Sequence, residues 1–360
     1  MLQINKINLF QFRNYSNASF AFERRIVGIC GANGSGKTNL LDAIYYLSFT
    51  KSYFSKPDSA NVQHGVKGMR LQGNYLLQNQ PCNITCIVRE NNKKEIALNG
   101  DDYKKFSEHL GKLPCVMIAP DDVALITGTS EERRKLLDTL LSQLNASYLQ
   151  QLIAYNKLLQ QRNSLLKQAQ ETGHLNEDLL SIYSEQLSAI GDWIYVERKL
   201  FLETFLPLVA EQYQYIAGGL DDLTIAYQSE LQEHPMNYWL DCNRKKDQLL
   251  GRTCSGIHRD DIVFGMHRHP FKSEASQGQR KSLLFAIKLS EWQTLKQYKG
   301  FAPILLLDDV FEKLDANRMH NLLHKVVNEG DGQVFISDTH KERLQIHLTQ
   351  IGADLELIEL

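Results

Sequence analysis

The sequence predicts an α/β fold, a mixed sheet with helices, together with a second, mainly helical lobe that contains a short antiparallel helical hairpin. Three observations predict it. The apolar run Ile26–Cys30 leads through a glycine-rich segment into a helical pattern. Four aliphatic residues at 304–307 precede two aspartates, which is typical of a strand buried on both faces of an α/β sheet. Between about 130 and 217, helical spacing continues almost without glycine or proline. We therefore place the sheet in residues 1–120 and 255–360, with the helical lobe, 121–254, inserted between them.

The glycine-rich segment reads G-A-N-G-S-G-K-T and fits the phosphate-loop pattern G-x-x-x-x-G-K-[ST] between strand and helix. Its residues are Gly31, Ala32, Asn33, Gly34, Ser35, Gly36, Lys37 and Thr38. Successive backbone N–H groups in such a loop can surround a phosphate, and the start of the helix adds a favourable dipole. We expect Lys37 to contact the β- and γ-phosphates of a nucleotide and the Thr38 hydroxyl to bind Mg²⁺. The alternative, a turn that only joins strand to helix, accounts less well for the flanking pattern.

The composition excludes several classes of protein. The 360 residues are 43% hydrophobic and 23% charged, as in ordinary globular proteins. A formal net charge of −2 provides no global basic field, so any contact with nucleic acid must be a local patch. The N-terminus does not read as a signal sequence, and no run approaches the ~20 apolar residues of a membrane span. Six scattered cysteines lack the spacing of a zinc site. We expect a cytoplasmic protein with reduced thiols and no membrane partner.

The first 100 residues predict mainly strands. Short apolar runs between 2 and 30 predict three strands before the loop, and the helix after it should end near Phe49. Residues 51–70 carry four basic residues against one acid and predict a surface loop. The basic residues are Lys51, Lys56, Lys67 and Arg70. Further strands are expected near 70–77, 83–88 and 95–100, with Asn99-Gly100 as a hairpin turn.

The middle of the chain predicts two long helices, roughly 147–170 and 176–206, that are separated by Thr172-Gly173 and form the hairpin. Apolar positions from 149 to 166 and from 179 to 201 should form their facing sides. A strand at 223–227 and a helix at 236–250 follow, and then a hairpin after Asp261. The basic run Arg244-Lys245-Lys246 and the loop 51–70 are the candidate contacts with DNA, although a solvated charged face is the favoured explanation of either one by itself.

The last part of the chain carries further candidate site residues. Asp308 ends the aliphatic strand, where a Mg²⁺ ligand belongs in a nucleotide-binding fold, and we expect it to hold the metal mostly through water. Asp309 is then placed to polarise an attacking water, with Glu312 as its rival. The segment A-S-Q-G-Q at 275–279 opens a helix from Arg280 to about Gln297, with Ser276 as its N-cap. His340 follows a final strand and could contact a γ-phosphate or simply lie on the surface.

The order of these motifs resembles the ABC-type ATPase heads of the SMC class. Further segments are similar to the RecF recombination-mediator family: F-R-N-Y at 12–15, A-P-D-D-V at 119–123, E-R-R-K-L-L-D at 132–138, Q-R-N-S-L-L-K at 161–167 and G-I-H-R-D-D at 256–261. Together they cover nearly the whole chain. Three positions depart from the pattern: A-S-Q-G-Q replaces L-S-G-G-Q, Asp309 replaces the catalytic glutamate of ABC-type ATPases, and Ile257 replaces proline.

The resemblance implies an ABC/SMC-type P-loop ATPase head that uses ATP and Mg²⁺. It also implies an ATP-dependent homodimer that binds gapped DNA at junctions of single and double strands. With RecR- and RecO-type partners it would help to load RecA, in DNA repair, recombination and replication restart, with weak DNA-stimulated ATPase activity. By the same resemblance Gly31–Thr38 bind ATP, and the signature consists of Ser276, Gln277 and Gly278. The Walker B acids are Asp308 and Asp309, and the interface aspartate is Asp315. The resemblance also implies that His340 is the switch histidine and that Arg13 and Asn14 are candidate adenine contacts.

One inference depends on the residues rather than the family. The chain has one phosphate loop, one signature-type helix start and no internal repeat. If the signature serves a γ-phosphate from the opposite side, a second copy of the chain must supply it, and a symmetric pair around two ATPs follows.

Three alternatives stay open at this point. A transporter nucleotide domain is disfavoured by the roughly 240 residues between the loop and the signature. A nuclease of the overcoming-lysogenization-defect kind would need an acidic catalytic domain, and only 20 residues follow His340. A structural DNA clamp that binds ATP but scarcely hydrolyses it remains compatible with Asp309, because aspartate is shorter than glutamate.

Overall fold

The computed structural model describes residues 1–55, 57–219, 221–310 and 316–360. Lys56, Glu312 and Asp315, which the sequence marked as candidates, lie outside the described residues. The strands are β1 (Leu2–Phe12), β2 (Tyr15–Ala21), β3 (Ile26–Cys30), β4 (Met69–Leu77), β5 (Gln80–Val88), β6 (Lys94–Leu98), β7 (Asp101–Asp102), β8 (Cys115–Ile118), β9 (Leu223–Gln228), β10 (Asp261–Met266), β11 (His269–Pro270), β12 (Ile304–Leu307), β13 (Val334–Asp338) and β14 (Leu355–Glu359).

The α-helices are α1 (Lys37–Phe49), α2 (Ala124–Thr127), α3 (Ser130–Leu144), α4 (Ala146–Thr172), α5 (Glu177–Ala217), α6 (Met236–Cys242), α7 (Arg244–Leu250), α8 (Phe271–Glu274), α9 (Gln277–Lys299), α10 (Ala316–His324) and α11 (Lys341–Gln350). A π-helical turn, Lys325–Glu329, follows α10. None of these helices, within the described part of the chain, is long and apolar enough to cross a bilayer.

The chain divides into two compact units. Unit 1 comprises Met1–Val123, Glu211–Leu220 and Ser276–Leu360, and unit 2 comprises Ala124–Ala210 and Asp221–Ala275. The expected boundary at 255 therefore differs from the structure, which groups residues 255–275 with the helical unit. The reason is that β10 pairs antiparallel with β9 over six residue pairs, so this segment completes a three-stranded sheet in unit 2.

Unit 1 contains two sheets. One is a five-stranded parallel sheet in the order β14-β3-β13-β12-β8. Every residue of β12 is buried, which confirms that the aliphatic run at 304–307 is a central strand. The other sheet is antiparallel, in the order β2-β1-β4-β5-β6-β7. It shares a hydrophobic core with α1, and Asn99-Gly100 forms the expected hairpin turn, with both residues at positive φ.

Unit 2 is mainly helical. Its two long helices run antiparallel, because Tyr148 of α4 meets Arg198 of α5 and Arg162 of α4 meets Ser184 of α5. The expected hairpin is therefore present. The helix expected over 236–250 is instead two helices, α6 and α7, that meet at Asn243.

The predicted apolar face of α4 was wrong in part. Ile153, expected to be inside, is 52% exposed, whereas the buried stripe consists of Tyr148, Tyr155, Arg162 and Leu166. An arginine can occupy this stripe because the Arg162 guanidinium pairs with the buried Asp247 at 2.8 Å and donates to Thr253 Oγ1 at 2.7 Å.

Candidate nucleotide-binding site

The parallel sheet of unit 1 gathers the predicted site residues at one edge. Residues 31–38 follow β3, Asp308 and Asp309 follow β12, and His340 comes two residues after the end of β13. Because β13 lies between β3 and β12 and all three strands are parallel, their carboxyl ends are neighbours. Ligands of open α/β sheets bind at this edge.

The phosphate loop has backbone angles and close contacts that are compatible with glycine. Gly34 and Gly36 have φ values of 82° and 117°, which side chains disfavour. A Cβ atom on Gly36 would also lie 2.7 Å from both the Asn14 amide nitrogen and the Tyr15 hydroxyl. Gly31 does not have positive φ, but a Cβ there would lie 2.6 Å from Ser35 Oγ. Two of the glycines are therefore required by conformation, and Gly31 is required by space.

The same loop presents hydrogen-bond donors without acceptors. Among the residues that the structure describes, the N–H groups of Gly34, Gly36, Lys37 and Thr38 have no hydrogen-bond acceptor. Ser35 Oγ is buried without a partner. The Lys37 ammonium, on a residue only 5% exposed, donates to the carbonyls of Gly31 at 2.8 Å and Ala32 at 3.1 Å. A concave set of donors around one cation fits a polyphosphate.

Thr38 and Asp308 form the candidate metal site. The Thr38 hydroxyl donates to both carboxylate oxygens of Asp308, at 2.9 and 3.1 Å. Adjacent oxygen ligands of octahedral Mg²⁺ lie about 3.0 Å apart, given Mg–O distances of about 2.1 Å, so this pair of oxygen donors fits the ion. Burial raises the pKa of the Asp308 carboxyl, and hydrogen bonds from Ser337 and Thr38 oppose that rise. In the described ranges no cluster of three or more His, Cys, Asp or Glu residues could hold a metal.

Ser337 is a site residue that the sequence reading missed. Its hydroxyl donates to Asp308 Oδ1 at 2.6 Å and accepts from the Asp309 backbone N–H at 2.9 Å. One serine on β13 therefore orients both aspartates that follow β12. Its only signal in the sequence was its position at the end of an apolar run, next to Asp338.

Asp309 and His340 lie at the same edge but differ in setting. Asp309 is half-buried and has a φ of 45°, a left-handed conformation that is strained for a residue with a side chain. His340 is exposed, and its backbone N–H donates to Asp338 Oδ1 at 2.8 Å. Asp338 is in turn held by the Arg343 guanidinium at 2.7 and 2.9 Å. The start of α11 is thus fixed near the loop.

The β1–β2 turn packs against the loop. Asn14 Nδ2 donates to the Ser35 carbonyl at 3.0 Å, and the Tyr15 hydroxyl donates to the Gly36 carbonyl at 3.1 Å. Tyr15 was part of the F-R-N-Y motif but was not singled out. The Arg13 guanidinium is directed elsewhere: it pairs with the fully buried Asp42 at 2.5 Å and donates to Asn39 Oδ1 at 3.0 Å. The structure therefore places Asn14 on the loop and Arg13 in a polar network beneath it.

The signature segment forms the start of α9. Ser276 caps α9: its hydroxyl accepts from the Gln279 N–H at 3.2 Å, and the Gln279 side chain accepts from the Ser276 N–H at 2.9 Å. This confirms the expected N-cap, although α9 begins at Gln277 rather than Arg280. A Cβ on Gly278 would lie 3.0 Å from the Arg318 guanidinium. No hydrogen bond joins Ser276, Gln277 or Gly278 to residues 31–38 in the parts of the chain that are described.

The two candidate basic patches are partly neutralised. In the loop 51–70, Lys67 pairs with Glu90 at 2.5 Å, whereas Arg70 donates to the Gln72 amide oxygen at 3.3 Å. In the run 244–246, Arg244 pairs with Glu177, and Lys245 and Lys246 are exposed. Lys67 and Arg244, one residue in each patch, are therefore neutralised by an acidic partner.

Comparisons with known proteins agree with this architecture. A family model described as RecF/RecN/SMC N terminal domain matches residues 3–354. The DNA replication and repair protein RecF of Flavobacterium johnsoniae is 43% identical over 344 residues, which cover 96% of each chain. The protein of the same name from Bacteroides thetaiotaomicron is 36% identical over 358 residues, covering 99% of this chain and 96% of its own.

Solved structures are also similar. A structure of the recombination mediator protein RecF-ATPrS in the RecFOR pathway has a TM-score of 0.88 at 29% identity, over 100% of this chain and 96% of that one. A RecF-ATP structure from the same pathway has a TM-score of 0.86 at 31% identity, over 94% of this chain and 92% of that one. An Smc head domain from Pyrococcus furiosus has a TM-score of 0.58 at 16% identity, over 100% of this chain and 93% of that one, which shows a shared fold alone. The predicted SMC-type head fold is therefore confirmed.

Proposed function

The chain belongs to the RecF family, and from that premise we propose that it is an ATP-dependent DNA-binding recombination mediator. It would bind ATP with Mg²⁺, pair with a second copy, and hold gapped DNA at junctions of single and double strands in the cytoplasm. Mediators of the RecR and RecO types would be its partners, as the RecFOR pathway of its structural relatives suggests, and RecA loading would follow indirectly.

The main observation that supports an ATP site is the hydrogen bond between Thr38 and Asp308, which lies beside the loop N–H groups that have no acceptor. The loop residues Gly31–Thr38 would bind the phosphates through these N–H groups, and Lys37 would exchange its two carbonyl contacts for phosphate oxygens. Thr38 and Asp308 would hold Mg²⁺, with Ser337 keeping the carboxylate in orientation. ATP, when bound, supplies the phosphoanhydride bond that is hydrolysed.

Asp309 is the proposed positioning acid for the hydrolytic water. Its backbone N–H is held by Ser337, so its place after β12 is fixed although its backbone is left-handed. Aspartate is one methylene shorter than glutamate, so we expect weak activity, with DNA as the natural stimulus. His340, exposed at the start of α11, would contact the γ-phosphate.

The signature supports a homodimer. Ser276 to Gly278 lie at the start of a 23-residue helix and make no hydrogen bond to the described loop of their own chain. Such a helix start can bind a phosphate through its N–H groups. We propose that it serves the nucleotide of a second copy, with Asp315 at that interface.

For the adenine contacts, we propose Asn14 in preference to Arg13. Asn14 already touches the loop and is exposed, whereas Arg13 is held by Asp42, Asn39, Ser52, Ser55 and Asn61. Arg13 would influence nucleotide binding only indirectly, by holding Asn39 and Asn14 in position beside the loop.

A structural DNA clamp is the second candidate, and the strained, short Asp309 favours it. Both candidate functions require binding of ATP and DNA, and they differ only in whether the protein hydrolyses ATP. Sedimentation of the protein with ATP, ADP or neither, with and without gapped DNA, tests the shared part, and phosphate release under the same conditions tests turnover. A chain that stays monomeric with ATP and ignores gapped DNA would overturn both candidates. Stable ATP-dependent dimers on DNA without phosphate release would select the clamp.

A further inference from the structure

The antiparallel sheet of unit 1 has an outer face that the proposed ATP site does not use. Phe10 of β1 is opposite Arg70 of β4, and Arg70 is opposite Ile87 of β5, so these three residues form one cross-strand row. Asn8, Gln72 and Thr85 form the next row. We call these six residues the outer sheet face. An open groove of about 980 Å³ is lined by all of these residues except Thr85.

The outer sheet face carries four polar residues out of six and is accessible, unlike the inner face. The alternate residues Leu9, Leu71 and Cys86 are buried in the core that includes α1. On the outer side Phe10 is 47% exposed, Arg70 is exposed, and Asn8, Gln72 and Thr85 are half-buried. Phe10 is thus an exposed aromatic ring in an amide-lined groove, on the side of the sheet that faces away from the core.

The net charge of the residues that line this groove is opposite in sign to the net charge of the whole chain. Its charged lining residues are Arg70, Arg89 and Glu90, a net of +1 (two positive, one negative), whereas the chain carries −2. Arg89 is neutralised by Glu95 at 2.6 Å, and Glu90 by Lys67 at 2.5 Å. Arg70 donates a hydrogen bond to the neutral Gln72 amide oxygen at 3.3 Å, and no ion pair joins it to another described residue. The groove therefore presents one uncompensated guanidinium beside one exposed aromatic ring.

From this arrangement we propose that the outer sheet face binds a single-stranded nucleic acid segment. One base stacks on Phe10, and Arg70 contacts the adjacent phosphate. The side-chain amides of Asn8 and Gln72 offer both donors and acceptors to base edges. An aromatic platform with an adjacent cation is the chemistry of single-strand binding, because unpaired bases can lie flat on a ring whereas the bases of a duplex remain stacked on each other. The proposal deepens the proposed DNA-binding function, on which it depends, by assigning the single-stranded arm of a junction to this face.

Four variants test the assignment, together with two matched controls. Phe10→Ala removes the platform, and Phe10→Leu keeps the apolar volume but removes the ring. Arg70→Gln removes the charge, and the double variant combines Phe10→Ala with Arg70→Gln. Tyr298→Ala is the aromatic control, because Tyr298 is 64% exposed on α9 and does not line the groove. Arg24→Gln is the charge control, because Arg24 is exposed and outside the groove. Fluorescence anisotropy with a labelled dT oligonucleotide and a labelled hairpin duplex, over a salt series, gives affinity and salt slope.

Substitutions at Phe10 and at Arg70 should affect the affinity and its salt dependence differently. Phe10→Ala and Phe10→Leu should weaken dT binding roughly 5- to 150-fold without changing the salt slope, as expected for the loss of one stacked base. Arg70→Gln should weaken binding and reduce the log–log salt slope by about 0.7, the contribution of one phosphate contact on a single strand. Hairpin affinity and ATP affinity should stay within twofold of the parent, as should every property of the two controls.

Three results would overturn the proposal. If the Phe10 and Arg70 variants bind dT like the parent, the single strand lies elsewhere while the DNA-binding function stands. If Phe10→Ala weakens the hairpin as much as dT, or Phe10→Leu binds dT like the parent, stacking of a single strand is wrong. If the parent protein binds neither oligonucleotide, the proposed DNA-binding function fails and this assignment fails with it.

Discussion

The Thr38 hydroxyl lies 2.9 Å from a carboxylate oxygen of Asp308, although the two residues are 270 positions apart in the sequence. The contact joins the helix that follows the phosphate loop to the strand that ends in the predicted metal ligand. It is held from the far side by Ser337, which contacts both Asp308 and Asp309. The hydrogen bonds among Thr38, Asp308 and Ser337 therefore set the geometry of the candidate metal site.

Ser337→Ala should reduce the Mg²⁺ affinity of the nucleotide complex by about 10- to 100-fold, because outer partners of a ligand typically contribute that much. The fold should survive, since the change removes one hydroxyl. Mg²⁺ titration of nucleotide binding measures the effect. Ser290→Ala is the matched control, because Ser290 is equally buried but donates only to its own helix, at the Ala286 carbonyl. Equal Mg²⁺ affinities in the two variants would remove Ser337 from the metal site.

Asp309→Asn should still bind ATP and dimerise but should hydrolyse ATP about 10²- to 10⁴-fold more slowly, the usual effect of losing a general base. The substitution keeps the size of the side chain and removes only its charge. Phosphate release under single-turnover conditions measures it. Glu312→Gln is the companion variant. If Asp309→Asn hydrolyses at the parent rate and Glu312→Gln does not, the base is Glu312.

Lys37→Met should abolish nucleotide-dependent behaviour and leave the fold intact. The only hydrogen bonds of the lysine ammonium within the described chain go to the Gly31 and Ala32 carbonyls, and methionine keeps an unbranched side chain, so the substitution removes the cation of the loop and little packing volume. Isothermal titration with ATP and a thermal melt of the same sample measure both properties. A folded variant with unchanged ATP affinity would contradict the site.

Arg13→Ala should destabilise the protein by about 3 to 5 kcal/mol, because the fully buried Asp42 would keep its hydrogen bonds from Ser52 and the Tyr53 N–H but would lose the cation that pairs with it. Burial raises the pKa of Asp42, and the Arg13 charge is the main influence that opposes the rise. Adding Asp42→Asn should therefore restore much of the stability. Urea unfolding of the single and double variants measures it. If Arg13→Ala instead keeps its stability and loses ATP affinity, Arg13 contacts the nucleotide directly.

Stability should fall as the pH drops from about 6.5 towards 4. Burial lowers the pKa of His109 in unit 1 and of His258 in unit 2 to about 4, and backbone hydrogen bonds to Leu47 and Thr253 oppose the shift only in part. The unfolded chain takes up these protons near pH 6.5, so the native state is favoured above that pH and loses the advantage below it. Each histidine should contribute about 3 kcal/mol to the pH dependence.

His258→Gln should flatten the acid side of the unfolding profile measured in urea between pH 7.5 and 4.5. Glutamine can replace one of the two hydrogen bonds of the ring, to the Tyr155 hydroxyl or the Thr253 carbonyl, and it does not titrate. His64→Gln, at an exposed histidine, is the control. A profile for His258→Gln that is as steep as that of the control would show that His258 does not carry the effect.

The sequence predicted the parts of the fold that depend on local patterns. Strand β12, the glycine loop and the Ser276 cap are each specified by neighbouring residues, so they were found where expected. The break at Asn243 was missed, because residues 236–250 keep helical spacing across it. Ser337 was missed because its role comes from the order of strands in the sheet, which no local pattern encodes.

Buried charge was the main source of error in the helical unit. Arg162 and Arg198 are each 1% exposed, yet an arginine on a helix reads as a surface residue. Arg198 is satisfied by Asp138 at 2.8 Å and Asp260 at 2.9 Å, residues that lie 60 and 62 positions away. Partners at such separations cannot be read from periodicity, and on α4 the buried stripe includes Arg162, which the predicted apolar face left out.

The position of β3 has a consequence for how the protein is made. This strand, which leads into the phosphate loop, pairs only with β13 and β14 in the five-stranded sheet, and these are formed by residues 334–338 and 355–359. The strand pairing of the antiparallel sheet, by contrast, lies within residues 2–102, although the Gln333 side chain later hydrogen-bonds the Ile4 backbone. On a translating ribosome the antiparallel sheet can therefore form early, while β3 waits for more than 300 residues of synthesis. The nascent chain should become able to bind nucleotide only when translation of this domain is nearly finished, a kinetic cost of high contact order.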